Sequence, residues 1–291
     1  MSPDERSREY RDFIEAYLKA CYEQFHGEPQ KALFEAMEYS LLAKGKRLRP
    51  MFTFDFCRMC GGDWKKAAPF AAAIEMIHNY SLIHDDLPCM DNDDYRRGRL
   101  TNHKVYGEGL AVLAGDGLLT DAFAMAASAE LQNPADLALA IRVLSENAGS
   151  RGMVGGQVLD IDSESRVLSE QEVLDIQIRK TSGLIRTACV LGVIAGNGSQ
   201  EQREAADRFA LALGLAFQIR DDMLDVIGTA EEMGKGVGTD ETKNTFVRLY
   251  GLQKCEELVH RYTDEAKEAL SCFADTDYMK ALAESLTTRR T

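Results

Sequence analysis

Phe209-Ala210-Leu211-Ala212-Leu213-Gly214-Leu215-Ala216-Phe217-Gln218-Ile219-Arg220-Asp221-Asp222-Met223-Leu224-Asp225 is the stretch that decides the fold. At about 100° per residue, Phe209, Leu211, Leu213, Leu215, Ala216 and Ile219 spread apolar surface nearly all round the axis. A helix of that kind is buried on every side, so other helices must surround it. The run ends in three aspartates. Asp221 and Asp225, four residues apart, fall within about 40° of each other on one face.

Outward from this core helix the chain reads as more helices. Prolines stand only at 3, 29, 50, 69, 88 and 134, so the long remainder has none, as helix interiors require. Asn133-Pro134 places a cap before a first-turn proline, Ser169 to Glu172 is a capping box, and Ser199 to Gln202 resembles another. Runs of alternating β-branched residues are missing, so strands have little support. No Pro/Ser-rich linker, low-complexity tract or fixed-period repeat marks a boundary. The expectation is an all-α, single-domain helical bundle of about ten or more helices over residues 1–291.

Composition narrows the class. Hydrophobic residues at 45% support a substantial core, and a net charge of −13 argues against binding nucleic acid or an anionic membrane face. A local basic pocket or a bound metal can still attract anionic ligands. Cysteines at 21, 57, 60, 89, 189, 255 and 272 are odd in number and lack framework spacing; with a polar opening segment they predict reduced thiols and a cytoplasmic protein. Cys57-x-x-Cys60 has no second pair to make a zinc site. The longest stretch free of charge, 187–200, is too short for a spanning helix, which needs roughly 20 apolar residues, so no stable membrane insertion is expected.

A second acid cluster reads Ile83-His84-Asp85-Asp86-Leu87-Pro88-Cys89-Met90-Asp91-Asn92-Asp93-Asp94, followed by Tyr95-Arg96-Arg97-Gly98. Aspartate is a poor helix former and close like charges repel, so two such clusters at the ends of apolar helices call for divalent cations. Carboxylate oxygens suit Mg²⁺, which keeps several waters and bridges to substrate phosphates. Asp85 and Asp91 would not converge on a straight helix; Pro88 is expected to end it and let the chain curl back. A solvated acidic loop is the plain alternative for one such cluster and a poor one for two.

Asp-Asp-x-x-x-x-Asp followed by Arg-Arg-Gly, with a distant Asp-Asp-x-x-Asp, resembles the trans-isoprenyl diphosphate synthases, among them the farnesyl and geranylgeranyl diphosphate synthases. Gly45-Lys46-Arg47-Leu48-Arg49-Pro50, Gly115-Asp116, Gly155-Gly156-Gln157-x-x-Asp160, Lys180-Thr181-Ser182-Gly183, Gly234-Lys235 and Asp240-x-x-Lys243-x-Thr245 fall in the family's order. The resemblance implies a bundle around a central cavity and head-to-tail condensation of isopentenyl diphosphate with allylic diphosphates. It implies Mg²⁺, three per active site, held by Asp85, Asp91 and Asp221, with Asp86, Asp222 and Lys180 also in the catalytic set. Arg96, Lys180 and Lys235 would grip the allylic diphosphate, with Thr181 and Gln218 nearby. Lys46, Arg49, His78 and Arg97 would bind isopentenyl diphosphate. Members are usually homodimers, but no interface is legible. Each basic residue taken alone reads as a solvated surface charge, and His78 alone as a core histidine; His78 gains weight from lying two turns before Asp85.

Product length is the finer question. Tyr80, the fifth residue before Asp85, lies about 7–8 Å down the helix. An aromatic there, with two extra residues inside the first acid motif, resembles bacterial farnesyl diphosphate synthases, whereas plant-type geranylgeranyl synthases carry a smaller residue. A helical wheel puts Ser81, not Tyr80, on the face of Asp85, so the pocket-floor role of Tyr80 rests on resemblance. Glu75-x-x-His78 and Glu257-x-x-His260 suggest a di-iron bundle instead, which leaves both acid clusters unexplained. A terpene cyclase would carry a different second metal motif, and a non-catalytic synthase subunit would lack motif aspartates.

Overall fold

The computed structural model describes residues 1–163, 166–227 and 245–289. It divides into two compact units, one of Met1–Ile141 with Ile194–Asn197, the other of Arg142–Val193 with Gly198–Thr291.

The first unit begins with α1 (Pro3–Glu23), opened by a Ser2–Glu5 capping box that sequence reading passed over, and buried along Tyr10, Ile14, Leu18 and Tyr22 at four-residue spacing. It continues with α2 (Lys31–Leu41) and α3 (Leu48–Met59). Next comes α4 (Ala68–Asp85), buried almost continuously from Phe70 to Ile77 because other helices cover it on most sides. Pro69 sits in its first turn, where no intrahelical donor is lost.

At its end α4 does what Pro88 implied. The Asp91 amide donates to the Asp85 carbonyl at 2.9 Å and the Asn92 amide to the Leu87 carbonyl at 3.1 Å, folding the acid segment back on the helix end. A small hairpin follows, β1 (Tyr95–Arg96) paired antiparallel with β2 (Arg99–Leu100). Its turn residues Arg97 and Gly98 both have positive φ, 54° and 75°, the geometry that matches strand twist in a two-residue hairpin. Strands were not expected, and this pair is too short to leave an alternating pattern.

Helices α5 (Asn102–Tyr106) and α6 (Glu108–Ala127) follow. Gly115 of α6 leaves the space that the His84 ring fills, and His84 Nε2 lies 3.1 Å from the Val112 carbonyl. By length and mean hydropathy (1.5) α6 would qualify to cross a membrane, contrary to the reading from charge-free stretches; Asp116 and Asp121 interrupt its apolar sequence. Asp121 accepts a hydrogen bond from Tyr22 Oη. Val112 and Leu113 are exposed.

Helix α7 (Ala135–Ala148) starts where Asn133-Pro134 predicted, with Asn133 Oδ1 accepting from the Ala135 amide at 3.2 Å. The second unit contains α8 (Met153–Ser163) and α9 (Glu170–Gln177), the latter opened by the Ser169–Glu172 capping box. A π-helical turn over Ile178–Ser182 joins α9 to α10 (Gly183–Ala195). The predicted core helix is α11 (Gln200–Ile227), capped by reciprocal Ser199–Gln202 bonds and buried without a break from Ala212 to Ala216. It packs with α9 and α12 (Phe246–Ala269) around Leu215, Ile219, Met223, Phe246, Leu258 and Val259. Helix α12 kinks at Gly251, φ 74°, and α13 (Asp277–Thr287) completes the unit. The all-α expectation is met.

Candidate active site

Lys46, Arg49, His78 and Arg97, scattered over fifty residues of sequence, line one cleft of about 530 Å³, together with Lys44, Arg47 and Glu75. The segment before α3 brings the first two, the middle of α4 brings His78, and the hairpin turn brings Arg97. The missing side chain at Gly45 leaves room for the Arg97 guanidinium, whose Nη1 would stand 2.8 Å from a Cβ there. Arg97 Nη2 lies 3.5 Å from His78 Nε2, and Nη1 3.4 Å from the Lys44 carbonyl. Burial, then the Arg49 and Arg97 guanidiniums, holds His78 well below its ordinary value, so it is neutral at physiological pH. Arg49 is pushed down to about 10 by burial, against the pull of Glu75. Its Nε is buried with no hydrogen-bond acceptor. Five cations against one carboxylate, with a buried donor unsatisfied, make a site for a multiply charged anion.

Above it stands the first acid cluster. Asp85, half-buried, ends α4, and Asp91, exposed, is held over it by the backbone bond already described. Asp86 points elsewhere. It is buried and accepts from Arg96 Nε at 2.6 Å, while Arg96 Nη2 lies 3.6 Å from Asp93. Burial pushes its carboxyl up to about 6 in spite of Arg96, with Asp93 and Asp91 adding to the rise. Arg96, expected on a diphosphate, is thus anchored to the acid cluster itself. Tyr80 is buried, with its ring edge on His84 at 5.7 Å between centroids, and burial raises its hydroxyl to about 12. Ser81 is half-buried and donates to the His78 carbonyl, so it is turned back on its own helix.

The second unit carries the other predicted residues. Lys180 lies in the π turn, its Nζ 2.5 Å from Asp160 Oδ2 of α8. Gly156 allows that approach: a Cβ there would lie 2.5 Å from the Lys180 amide nitrogen. Wide turns of this type recur at functional sites. Thr181 Oγ1 is 3.2 Å from Gln218 Oε1, and Gln218 Nε2 donates to Asp222 Oδ1 at 2.9 Å. Asp222 is buried and accepts the Phe246 amide at 2.8 Å through its other oxygen. The second aspartate of each Asp-Asp pair therefore turns inward. Asp221 forms an ion pair with Arg289, whose guanidinium lies 4.5 Å from the Phe217 ring centroid and whose carbonyl accepts from Arg220. Lys235 lies outside the described residues.

Sequence reasoning missed Asp160, Glu75 and Arg289 as partners of the site. Asp160 stood in a recognised motif without a role. Glu75 was visible at i,i+3 from His78 and was read toward iron. The structure corrects that rival: Glu75 Oε1 is 2.7 Å from Arg47 Nη1, and Glu257 pairs with Lys254 while His260 lies exposed beside Glu256. Nothing in the pattern marks Arg289.

Among the described residues no three His, Cys, Asp or Glu side chains converge on one point. The chain offers carboxylates singly and in pairs, the donor set of an ion completed by phosphate oxygens and water. That fits Mg²⁺ and not a closed protein cage.

A farnesyl diphosphate synthase of Micrococcus luteus is 45% identical over 262 residues, 89% of each chain. The large subunit 2 of a heterodimeric geranylgeranyl pyrophosphate synthase of Arabidopsis thaliana is 47% identical over 85% of this chain and 67% of its own. The crystal structure of an FPP/GFPP synthase from Zymomonas mobilis superposes with a TM-score of 0.88 at 33% identity, covering 98% of both chains. The sequence model of the polyprenyl synthetase family matches residues 30–282, and the chain belongs to that family.

Proposed function

We propose that this protein is a prenyltransferase that condenses isopentenyl diphosphate head to tail with dimethylallyl and then geranyl diphosphate, giving farnesyl diphosphate. The observation that carries the reading is the cleft of Lys46, Arg49, His78 and Arg97, built to hold a diphosphate apart from the aspartates. The chemistry needs two unlike anion sites. The allylic diphosphate leaves, so its charge must be neutralised as the C–O bond breaks, whereas the diphosphate of the homoallylic substrate must stay intact.

Asp85, Asp91 and Asp221 are the proposed Mg²⁺ ligands, for three ions in all. Bound there, Mg²⁺ would supply the positive charge that stabilises the departing diphosphate. Lys180, aligned by Asp160, and Lys235 add cationic donors, while Arg96 braces the acid cluster through Asp86. The double bond of isopentenyl diphosphate, held by the basic cleft, attacks the allylic cation; the new C–C bond forms and a proton leaves the adjacent carbon to the released diphosphate. Neutral His78 donates or accepts a hydrogen bond without adding charge.

Tyr80, buried below the acid cluster, supports a fifteen-carbon product; the geranylgeranyl synthases among the relatives favour twenty carbons as the second reading. Residues 1–291 are taken as one synthase domain. The exposed Val112 and Leu113 of the apolar helix α6 support a homodimer, and seven free cysteines support a cytoplasmic location. The test is chromatography of the product formed by purified protein from labelled isopentenyl diphosphate and dimethylallyl diphosphate. Farnesyl diphosphate is expected with Mg²⁺ and nothing with chelator. Full turnover in chelator, or none with Mg²⁺, would overturn the reading.

A further inference from the structure

Arg47 stands between two proposed substrate ligands and behaves differently from both. Its backbone is left-handed, φ 52° and ψ 36°, an unfavourable region for a residue with a Cβ. Its side chain is 1% exposed, whereas Lys46 is exposed and Arg49 half-buried. Two of the three guanidinium nitrogens are taken up by the protein, while Nε makes no hydrogen bond and lies 3.8 Å from Glu15 Oε1. Nη1 donates to Glu75 Oε1 at 2.7 Å, and Nη2 to the Leu41 and Ala43 carbonyls at 2.9 Å each. Those carbonyls lie at and beyond the C-terminal end of α2, where helix acceptors lack intrahelical partners. One side chain therefore fastens the segment before α3 both to the end of α2 and to the middle of α4. A strained backbone held by such bonds is the kind of outlier that points to function.

Glu75 is the other half. It is 2% exposed and is the one carboxylate among the residues lining the cleft. It sits one turn before His78 on α4, and its charge offsets the repulsion among Arg47, Arg49 and Arg97. Lysine could not replace Arg47, since an ammonium lacks the planar fork that reaches three acceptors.

We propose that Arg47 and Glu75 form a positioning pair for the diphosphate cleft: neither touches substrate, and their contact sets the segment from which Lys46 and Arg49 reach one diphosphate. This rests on the assignment of the cleft to isopentenyl diphosphate made above.

The test uses two variants that keep charge and change geometry, Arg47→Lys and Glu75→Asp. Each should raise KM for isopentenyl diphosphate about tenfold, while kcat at saturation and KM for the allylic substrate stay within twofold. Calorimetric titration with isopentenyl diphosphate in chelator should show the same tenfold loss of affinity. The double variant should be no worse than the poorer single, because both break one contact. Unchanged affinity in both singles, an equal loss on the allylic substrate, or additive losses in the double would overturn the pair. Circular dichroism reports whether Arg47→Lys folds, and Glu75→Asp decides alone if it does not. Wild-type protein that binds no isopentenyl diphosphate sinks the functional reading and the pair together; wild type that binds, with variants that match it, sinks the pair alone.

Discussion

Asp221 and Asp222 are neighbours with different surroundings. Asp222 is buried between Gln218 Nε2 and the Phe246 amide, so it ties α11 to the start of α12. An asparagine there would present an amide N–H to one of those two donors, and a lost buried bond of this kind costs about 1–3 kcal/mol. Asp221 is half-buried and forms an ion pair with the Arg289 guanidinium, a contact that adds little to stability. Asp222→Asn should therefore lower the melting temperature. Asp221→Asn should keep it and cut turnover by about a hundredfold or more, since one carboxylate ligand at a leaving group is worth several kcal/mol. Two variants with the same profile in melting and in rate would refute the division. Spacing alone made Asp221 visible, because residues four apart share a face. It could not show that Asp222 turns inward, since one of its partners, the Phe246 amide, lies 24 residues away.

Helix starts were legible where their signals are local, as at Asn133, Ser169 and Ser199. The hairpin and the π turn were not: one depends on two positive-φ residues, the other on a single extra residue in a helix, and neither changes the hydrophobic period. The contact of α8 with the π turn is a close joint in the second unit. A Cβ at Gly156 would meet the Lys180 backbone at 2.5 Å and the Arg179 Cβ at 2.9 Å, so α8 would have to move. Overpacking of this sort costs about 1–3 kcal/mol, and here it also carries Asp160 away from Lys180. Gly156→Ala should lower the melting temperature and raise KM for the allylic diphosphate. Gly109→Ala is the control, since nothing lies within 4 Å of a Cβ at that helical position; it should be neutral or stabilising by up to about 1 kcal/mol. Equal behaviour of the two alanine variants would show that the joint has slack.

For the molecule as a whole, the core charges set a pH dependence. Asp55 is fully buried, with Tyr10 Oη at 2.9 Å and Arg6 Nη1 at 3.2 Å. Burial outweighs both and pushes its carboxyl up from 3.8 to about 6. Between those values the folded chain holds a proton that the unfolded chain has released, so stability falls as pH rises through that window. The stabilising contribution is complete below the lower value and lost above the upper one. The melting temperature of wild type minus that of Asp55→Asn, which does not titrate, should shrink from pH 4 to pH 7; a difference that widens would refute the assignment. Such pairings, like the cleft that gathers positions 46, 49, 78 and 97, join residues with no common period, which is why resemblance named the ligands while composition gave only the acidic total. That total and the cleft act over different ranges. At low ionic strength the Debye length is about 30 Å, and the field a trianionic substrate meets on approach is set by the net charge of −13. At physiological salt it is about 8 Å, so distant carboxylates are screened and the substrate responds chiefly to the arginines and lysine it is about to touch. Ordinary salt thus hides the protein's overall charge from its substrate and leaves the cleft in view.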